Sequence, residues 1–210
     1  MAITIPEPGN SFIATVDWDG YLKLLDKLPP NRVRVNYDCG KVELVSPSPE
    51  HKRLQALLAY VLETVFLGFD IDFLNGGSTT FKSKLMDKGF EPDECYWLTH
   101  LDEVADVSTY DQETSPPPDL SIEVDMSESS ISRMPIYAAF GVNEVWRYEQ
   151  DEKIRLYSLK DGAYTEVEVS RFLPQVKPEE LQRFVERGKE LITSRLIREV
   201  AQWAREKRVR

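Results

Sequence analysis

Pro118-Asp-Leu-Ser-Ile-Glu-Val124, followed after a polar turn by Ile136-Tyr-Ala-Ala-Phe-Gly-Val-Asn-Glu-Val-Trp146, decides how the rest of the chain is read. Leu120 to Val124 is a compact apolar strand with Glu123 near its end, and Ser127 to Ser132 is a polar turn. Ile131, Met134, Ile136, Tyr137 and Phe140 then lie on a short helix closed by Gly141, the residue best suited to a left-handed helix cap. Val145 to Tyr148 reads as the next strand. Strand, helix and strand in this order predict a βαβ unit whose strands pair in parallel through the usual right-handed crossover.

A second acid, Asp93, stands in Glu91-Pro-Asp-Glu94 at the corner that opens the strand-like run Cys95 to Leu98. Acids at the ends of apolar strands are costly to desolvate and persist mainly where a cation or strong partner compensates them. Mg²⁺ is such a cation, since it takes one or two carboxylates and keeps several waters for a phosphate-bearing substrate. Either acid alone is more often a strand cap or rim residue; the pairing of Asp93 with Glu123 is what points to a metal site.

Upstream, residues 16–29 carry Leu22, Leu24, Leu25 and Leu28 in a helical pattern that stops at Pro29-Pro30. Arg32 to Tyr37 and Lys41 to Ser46 alternate polar and apolar residues around Asp38-Cys39-Gly40, which predicts a hairpin. Ser48 as N-cap and Pro49 at the first helical position open an amphipathic helix through Leu54, Leu57, Leu58, Val61, Leu62, Val65 and Phe66 to Gly68. Ile71 to Leu74 and Ser78 to Lys82, flanking Asn75-Gly76-Gly77, are expected to form a strand pair or one bulged strand. Residues 99–117 read as a loop ending in Pro116-Pro117-Pro118.

Downstream, Lys153 to Leu159 and Tyr164 to Val169, joined around Lys160-Asp161-Gly162, predict a final hairpin. Leu181, Phe184 and Val185, then Leu191 through Trp203, form one bent helix or two, beginning after Pro178 and broken at Gly188. The fold class is therefore α/β (α+β): a central mixed β-sheet flanked by helices, with extra hairpins. The expectation is one domain over 1–210, with 178–210 a C-terminal helical appendage.

Composition sets the outer bounds. At 210 residues, 41% hydrophobic and 10% aromatic, the chain has ordinary globular usage. Cys39 and Cys95 match no zinc spacing, and the two histidines, His51 and His100, add too little to build a zinc cluster. Met1 to Phe12 holds prolines and no apolar core of signal-peptide length, and Leu57 to Phe69 is too short to span a bilayer. No membrane partner is expected, and a cytoplasmic location is. The net charge of -10 argues against a protein that simply coats nucleic acid. It leaves room for a nuclease, whose metal site contributes acids while Lys82, Lys84 and Lys88 guide a phosphate. The basic run Arg205 to Arg210 is read as complementing a helix C-terminus.

From about residue 18 to about residue 175 the chain resembles the Uma family, part of the restriction-endonuclease-like superfamily with the PD-(D/E)XK signature. The resemblance rests on Ser46-Pro-Ser-Pro-Glu-His51, Gly77-Ser-Thr-Thr80, Glu91-Pro-Asp-Glu94, Pro118 to Val124 and, most specifically, Ile136 to Trp146. It implies a restriction-endonuclease-like core and a Mg²⁺- or Mn²⁺-dependent endonuclease that hydrolyses nucleic-acid phosphodiesters, most often of DNA. Asp93 and Glu123 would ligate the metal alongside the backbone carbonyl of Val124, activating water and stabilising charge on the phosphoryl oxygens.

The chain departs from the signature two residues after Glu123, where Asp125 stands in place of lysine. Many family members instead carry that lysine on the following helix, four residues before the position of Tyr137; here that place is Arg133. A guanidinium can clamp a phosphate, yet with a pKa above about 12 it cannot serve as a base. Glu50 and His51, at the start of the long helix, are accessory candidates whose plainer roles are helix-end charge and capping. Tyr137 is read as either core or site. Asp119 would lie roughly 13 Å from Glu123 at about 3.3 Å per residue, too far to share a metal, and belongs to the strand entrance. Trp97, Trp146, Tyr96 and Tyr148 are read as core.

Two other readings compete. A descendant without catalysis would keep the scaffold as an interaction or nucleic-acid-binding module. A glycoside hydrolase using Asp93 and Glu123 needs an aromatic sugar cleft that no sequence feature requires. Restriction-like domains commonly pair, so the apolar face around Leu191, Leu196, Val200 and Trp203 is expected either to dock a second copy as a homodimer or to cover the sheet.

Overall fold

A computed structural model describes residues 5–29, 32–105, 111, 114–126 and 132–209. The expected polar turn at Ser127 to Ser132 lies outside the described residues except for Ser132, as do Ile131, Pro30 and Arg210. The order of elements is β1 (Ser11–Thr15), α1 (Trp18–Lys27), β2 (Arg34–Asp38), β3 (Lys41–Val45), α2 (Pro49–Gly68), β4 (Leu74–Asn75), β5 (Phe81–Ser83), β6 (Lys88–Phe90) and β7 (Glu94–Trp97). It continues with α3 (Leu101–Val104), β8 (Leu120–Val124), α4 (Met134–Phe140), β9 (Glu144–Tyr148), β10 (Ile154–Lys160), β11 (Ala163–Val167), α5 (Pro178–Glu190) and α6 (Thr193–Arg208).

The strands form two sheets. One is mixed, in the order β11-β10-β9-β8-β7-β4, and its parallel pair is β8 with β9, running from Leu120 opposite Glu144 to Val124 opposite Tyr148. β8 is buried along its whole length, which is why it reads as an apolar run rather than an alternation. The helix α4 between β8 and β9 ends at Gly141, whose φ of 79° supplies the left-handed cap. The other sheet is antiparallel, in the order β1-β3-β2-β6-β5.

The long helix α2 starts as its sequence dictates, with the Ser48 hydroxyl accepting from the His51 amide at 3.1 Å. Its apolar stripe from Leu54 to Phe66 packs with Leu120, Ile122 and Val124 of β8 and with Trp146 and Tyr148 of β9. The β2–β3 hairpin turns through Cys39 and Gly40, both at positive φ (45° and 86°), the geometry a two-residue hairpin loop needs. On this sheet Val33, Val35, Tyr37, Val42 and Leu44 face α1, where Tyr21 stacks on Tyr37 with ring centroids 4.6 Å apart. Strand alternation then turns Arg34, Asn36 and Glu43 to the opposite face.

Three expectations change, and the first is that residues 99–117, read as a loop, contain the short helix α3. Ile71 to Leu74 and Ser78 to Lys82 do not pair with each other: β4 joins β7 of the mixed sheet, whereas β5 joins β6 of the antiparallel one. The chain crosses between sheets at Gly76, where an added Cβ would lie 2.5 Å from the Trp97 ring and 2.7 Å from Cys95 Sγ. The C-terminal helical segment breaks at Leu191 and Ile192, not at Gly188, which lies within α5 at a close approach where a Cβ would meet Leu57 and Leu196 at 2.8 Å. Of the two alternatives for the apolar face of α6, the structure has the covering one: Leu196 and Val200 are fully buried in the cluster that holds α2 and the mixed sheet, and Trp203 packs edge-on to Phe184. Among the described residues no helix is long and apolar enough to cross a membrane.

Candidate active site

The register of β7 against β8 places Glu94 opposite Ile122 and Cys95 opposite Ser121. Continued by one residue, it sets Asp93 opposite Glu123, so the two acids share one face of the sheet with Cβ atoms about 5 Å apart. The Val124 amide confirms the approach by donating to Asp93 Oδ2 at 2.6 Å. Both carboxylates are buried, Asp93 at 0% and Glu123 at 2% exposure.

Each acid is met by an arginine from a different part of the fold. Arg34, from the inner face of β2, forms an ion pair with Asp93 Oδ1 and donates to Gln55 Oε1 at 2.9 Å. Gln55 in turn donates to the Asp93 carbonyl at 2.7 Å, and His51 Nε2 lies 2.6 Å from Asp93 Oδ1. Arg133, at the N-cap of α4, forks between Glu123 and Asp125. The Tyr137 hydroxyl, one turn along α4, donates to the other oxygen of Glu123. Arg147 Nε donates to Asp125 at 2.7 Å. The result is a buried seam of Asp93, Glu123 and Asp125 matched by Arg34, Arg133 and Arg147.

Burial pushes the Glu123 carboxyl up, and Arg133 opposes that shift. Burial also weakens the charged form of Arg133, but Glu123 and Asp125 outweigh it and hold the guanidinium above its ordinary range. Burial, then repulsion from Arg34 and Arg133, lowers His51 to about 3, so its imidazole is neutral at neutral pH; Nε2 lies 2.6 Å from Asp93 Oδ1 and 3.1 Å from Arg34 Nη1, and it donates to the carboxylate in the Nε2–H tautomer. Burial and the neighbouring Glu123 keep Tyr137 as a phenol and therefore a donor.

A family model described as "Uma2: Putative restriction endonuclease" matches residues 18–191. The chain belongs to the Uma2 family. In three dimensions it is similar to a "putative nuclease belonging to DUF820" from Anabaena variabilis ATCC 29413, with a TM-score of 0.54 and 16% identity. That match covers 81% of this chain and 99% of the other, and at such identity it carries the nuclease-like fold alone. No curated protein matches.

Within this Uma2 chain, the fold brings together Asp93, Glu123, Val124, Arg133, His51 and Tyr137. Glu50 is left exposed on the first turn of α2, outside the seam. Asp119 sits at the far end of β8 and accepts from the Leu98 amide at 2.8 Å, the Thr99 amide at 2.9 Å and the Thr99 hydroxyl. Lys88 is ion-paired with Asp38 on the outer sheet. Trp97, Trp146, Tyr96 and Tyr148 are buried.

Sequence reasoning missed Arg34, Gln55, Glu43 and Arg147. Arg34 and Glu43 sit in strands whose alternation was legible, but the polar face of such a strand ordinarily meets water. Here it meets the mixed sheet, and Glu43 is fully buried with Asn36 Nδ2 3.4 Å away. Gln55 follows His51 by one helical turn, a spacing that would have placed both on the face of α2 turned to the site.

Proposed function

We propose that this protein is a divalent-metal-dependent endonuclease whose metal is held by Asp93, Glu123 and the Val124 carbonyl. The observation that carries the reading is the hydrogen bond from the Val124 amide to Asp93 Oδ2 at 2.6 Å, which seats Asp93 beside Glu123 where β7 meets β8. Two carboxylates and a peptide oxygen are hard donors that suit Mg²⁺ or Mn²⁺. Among the described residues no group of three or more His, Cys, Asp or Glu side chains could hold a metal. That donor set fits an ion that leaves most of its coordination to water and phosphate rather than one caged by protein.

When bound, such an ion supplies Lewis-acid activation of water and neutralises phosphoryl charge. The chain's own groups do the positioning. Tyr137 and Arg133 hold the Glu123 carboxylate from two sides, while the neutral His51 and Gln55 fix Asp93 by its side chain and its carbonyl. Arg133 is 14% exposed at its side chain, and its fork is the group able to turn from Asp125 to a phosphate oxygen. It stays charged throughout, so it stabilises developing negative charge and takes no proton.

Calorimetry with Mg²⁺ and Mn²⁺ on the wild type, Asp93→Ala and Glu123→Ala, followed by plasmid nicking in the same samples, tests this. Binding and nicking in the wild type that both variants lose support it; a wild type that binds neither ion sinks it. The second reading, a scaffold without catalysis, is favoured by the same arginines, which neutralise both acids with no metal. It predicts nucleic-acid binding that is indifferent to divalent ions.

A further inference from the structure

A cavity of about 710 Å³ opens on the side of Arg34 and Gln55 away from the carboxylate pair, between α1, the N-terminal half of α2 and the segment at Ser78 to Thr80. Arg34 is shared: it also lines a small cleft with His51, Val124, Asp125 and Arg133. A ligand in the large cavity is therefore one side chain away from the metal-ligating face.

The lining states what that ligand is. Leu25, Leu28, Val33 and Ala56 give apolar walls suited to a flat ring. Asp26, Glu91 and Glu94 put three carboxylates into the same space, beside the cations Arg34 and Lys52. Glu91 is held by the Thr80 hydroxyl at 2.5 Å and the Val35 amide at 3.0 Å, and Glu94 by Gln55 Nε2 at 3.1 Å, so these acceptors are fixed in place. Carboxylates repel phosphate and accept from exocyclic amino groups, as Glu and Asp do with cytosine N4. The volume lies in the range of sites that enclose one small molecule.

We propose that this cavity receives one unpaired, amino-bearing nucleobase of the nucleic acid, with the adjoining backbone passing Arg34 to reach Asp93 and Glu123. The proposal rests on the nuclease reading for its substrate class. It makes the preferred substrate one in which a base is already out of the stack, since extruding a paired base opposes binding by its unstacking energy.

The probe is a DNA duplex with a single bulged 2-aminopurine, compared with the same duplex bearing a bulged abasic site and with a fully paired duplex, all in Ca²⁺. Fluorescence reports the base and anisotropy of a distal dye reports affinity. The expected result is binding of the base-bearing bulge about tenfold tighter than of the abasic one, with a fluorescence change that Ala56→Trp, which fills the cavity, removes. Equal affinity of the wild type for base-bearing and abasic bulges overturns the proposal, as does the absence of any binding, and this comparison holds even if Ala56→Trp fails to fold. Plasmid nicking in Mg²⁺ separates the two readings. Nicking without base discrimination leaves the nuclease and removes the cavity's role; discrimination without nicking does the reverse.

Discussion

Asp119, just before β8, and Glu123, near its other end, are both buried acids, and they are satisfied in opposite ways. Asp119 is 2% exposed and accepts from neutral donors: two backbone amides, the Thr99 hydroxyl and Asn143 Nδ2 at 3.2 Å. Glu123 has the same exposure but is held by a phenol and by a guanidinium that also bonds Asp125. Amides in fixed backbone positions make a joint that nothing needs to enter. Movable charged side chains make one that another cation or an anion can enter by exchange. Burial alone therefore does not tell the two carboxylates apart; the kind of donor does.

The sharpest test of that contrast exchanges one oxygen at each end. Glu123→Gln is expected to cut metal-dependent nicking by at least about 100-fold while the fold persists, as judged by circular dichroism and activity together. Asp119→Asn is expected to leave the nicking rate per folded molecule intact and to lower unfolding stability by about 3 kcal/mol in urea titration, since buried amides lose charged acceptors. Reversed outcomes would break the comparison. Arg133→Ala should slow nicking by roughly 10-fold to 100-fold, with Arg133→Lys recovering part of it, because charge at that point counts more than the fork.

Acid should also tell the ends apart. In metal-free protein His51 is depressed to about 3, against about 6.5 when unfolded. Its contribution is fully present above pH 6.5 and is lost as pH falls towards 3, because the unfolded chain binds the proton first. The expected slope is at most about 1.4 kcal/mol per pH unit between those limits, and His51→Asn should flatten it in urea titrations at pH 7 and pH 5. The smallest effect concerns the middle of the strand pair. Cys95, opposite Ser121, is buried with its thiol pushed up by burial, whereas Cys39 is exposed. A thiol reagent should titrate Cys39 in the native protein and Cys95 only on unfolding.

Much of this was legible in the residues. The βαβ unit from Leu120 to Tyr148, the capped start of α2 and both two-residue hairpins follow from local signals, and the structure contains them. β1 and β6 were not legible, for physical reasons. β1 has Phe12 and Ile13 exposed on an edge strand, and β6 carries Gly89 at a point where Tyr21 leaves no room for a side chain. Asp93, Glu123 and Arg133 stood out because acids at strand ends and a displaced cation are visible in one dimension. Arg34 did not, because nothing local says that the polar side of β2 faces another sheet. Alternation reports which residues share a side of a strand, never what lies across from it.

The seam of facing charges also bears on how the chain is made. Arg34, Asn36 and Glu43 leave the ribosome well before Asp93, Glu123 and Arg133 exist to meet them, and a sheet with one polar face stays solvated while it waits. Apolar residues at those positions would close the finished protein as tightly, and would give every nascent copy a sticky face to offer its neighbours. The charges that line the seam would thus also protect the nascent chain against aggregation.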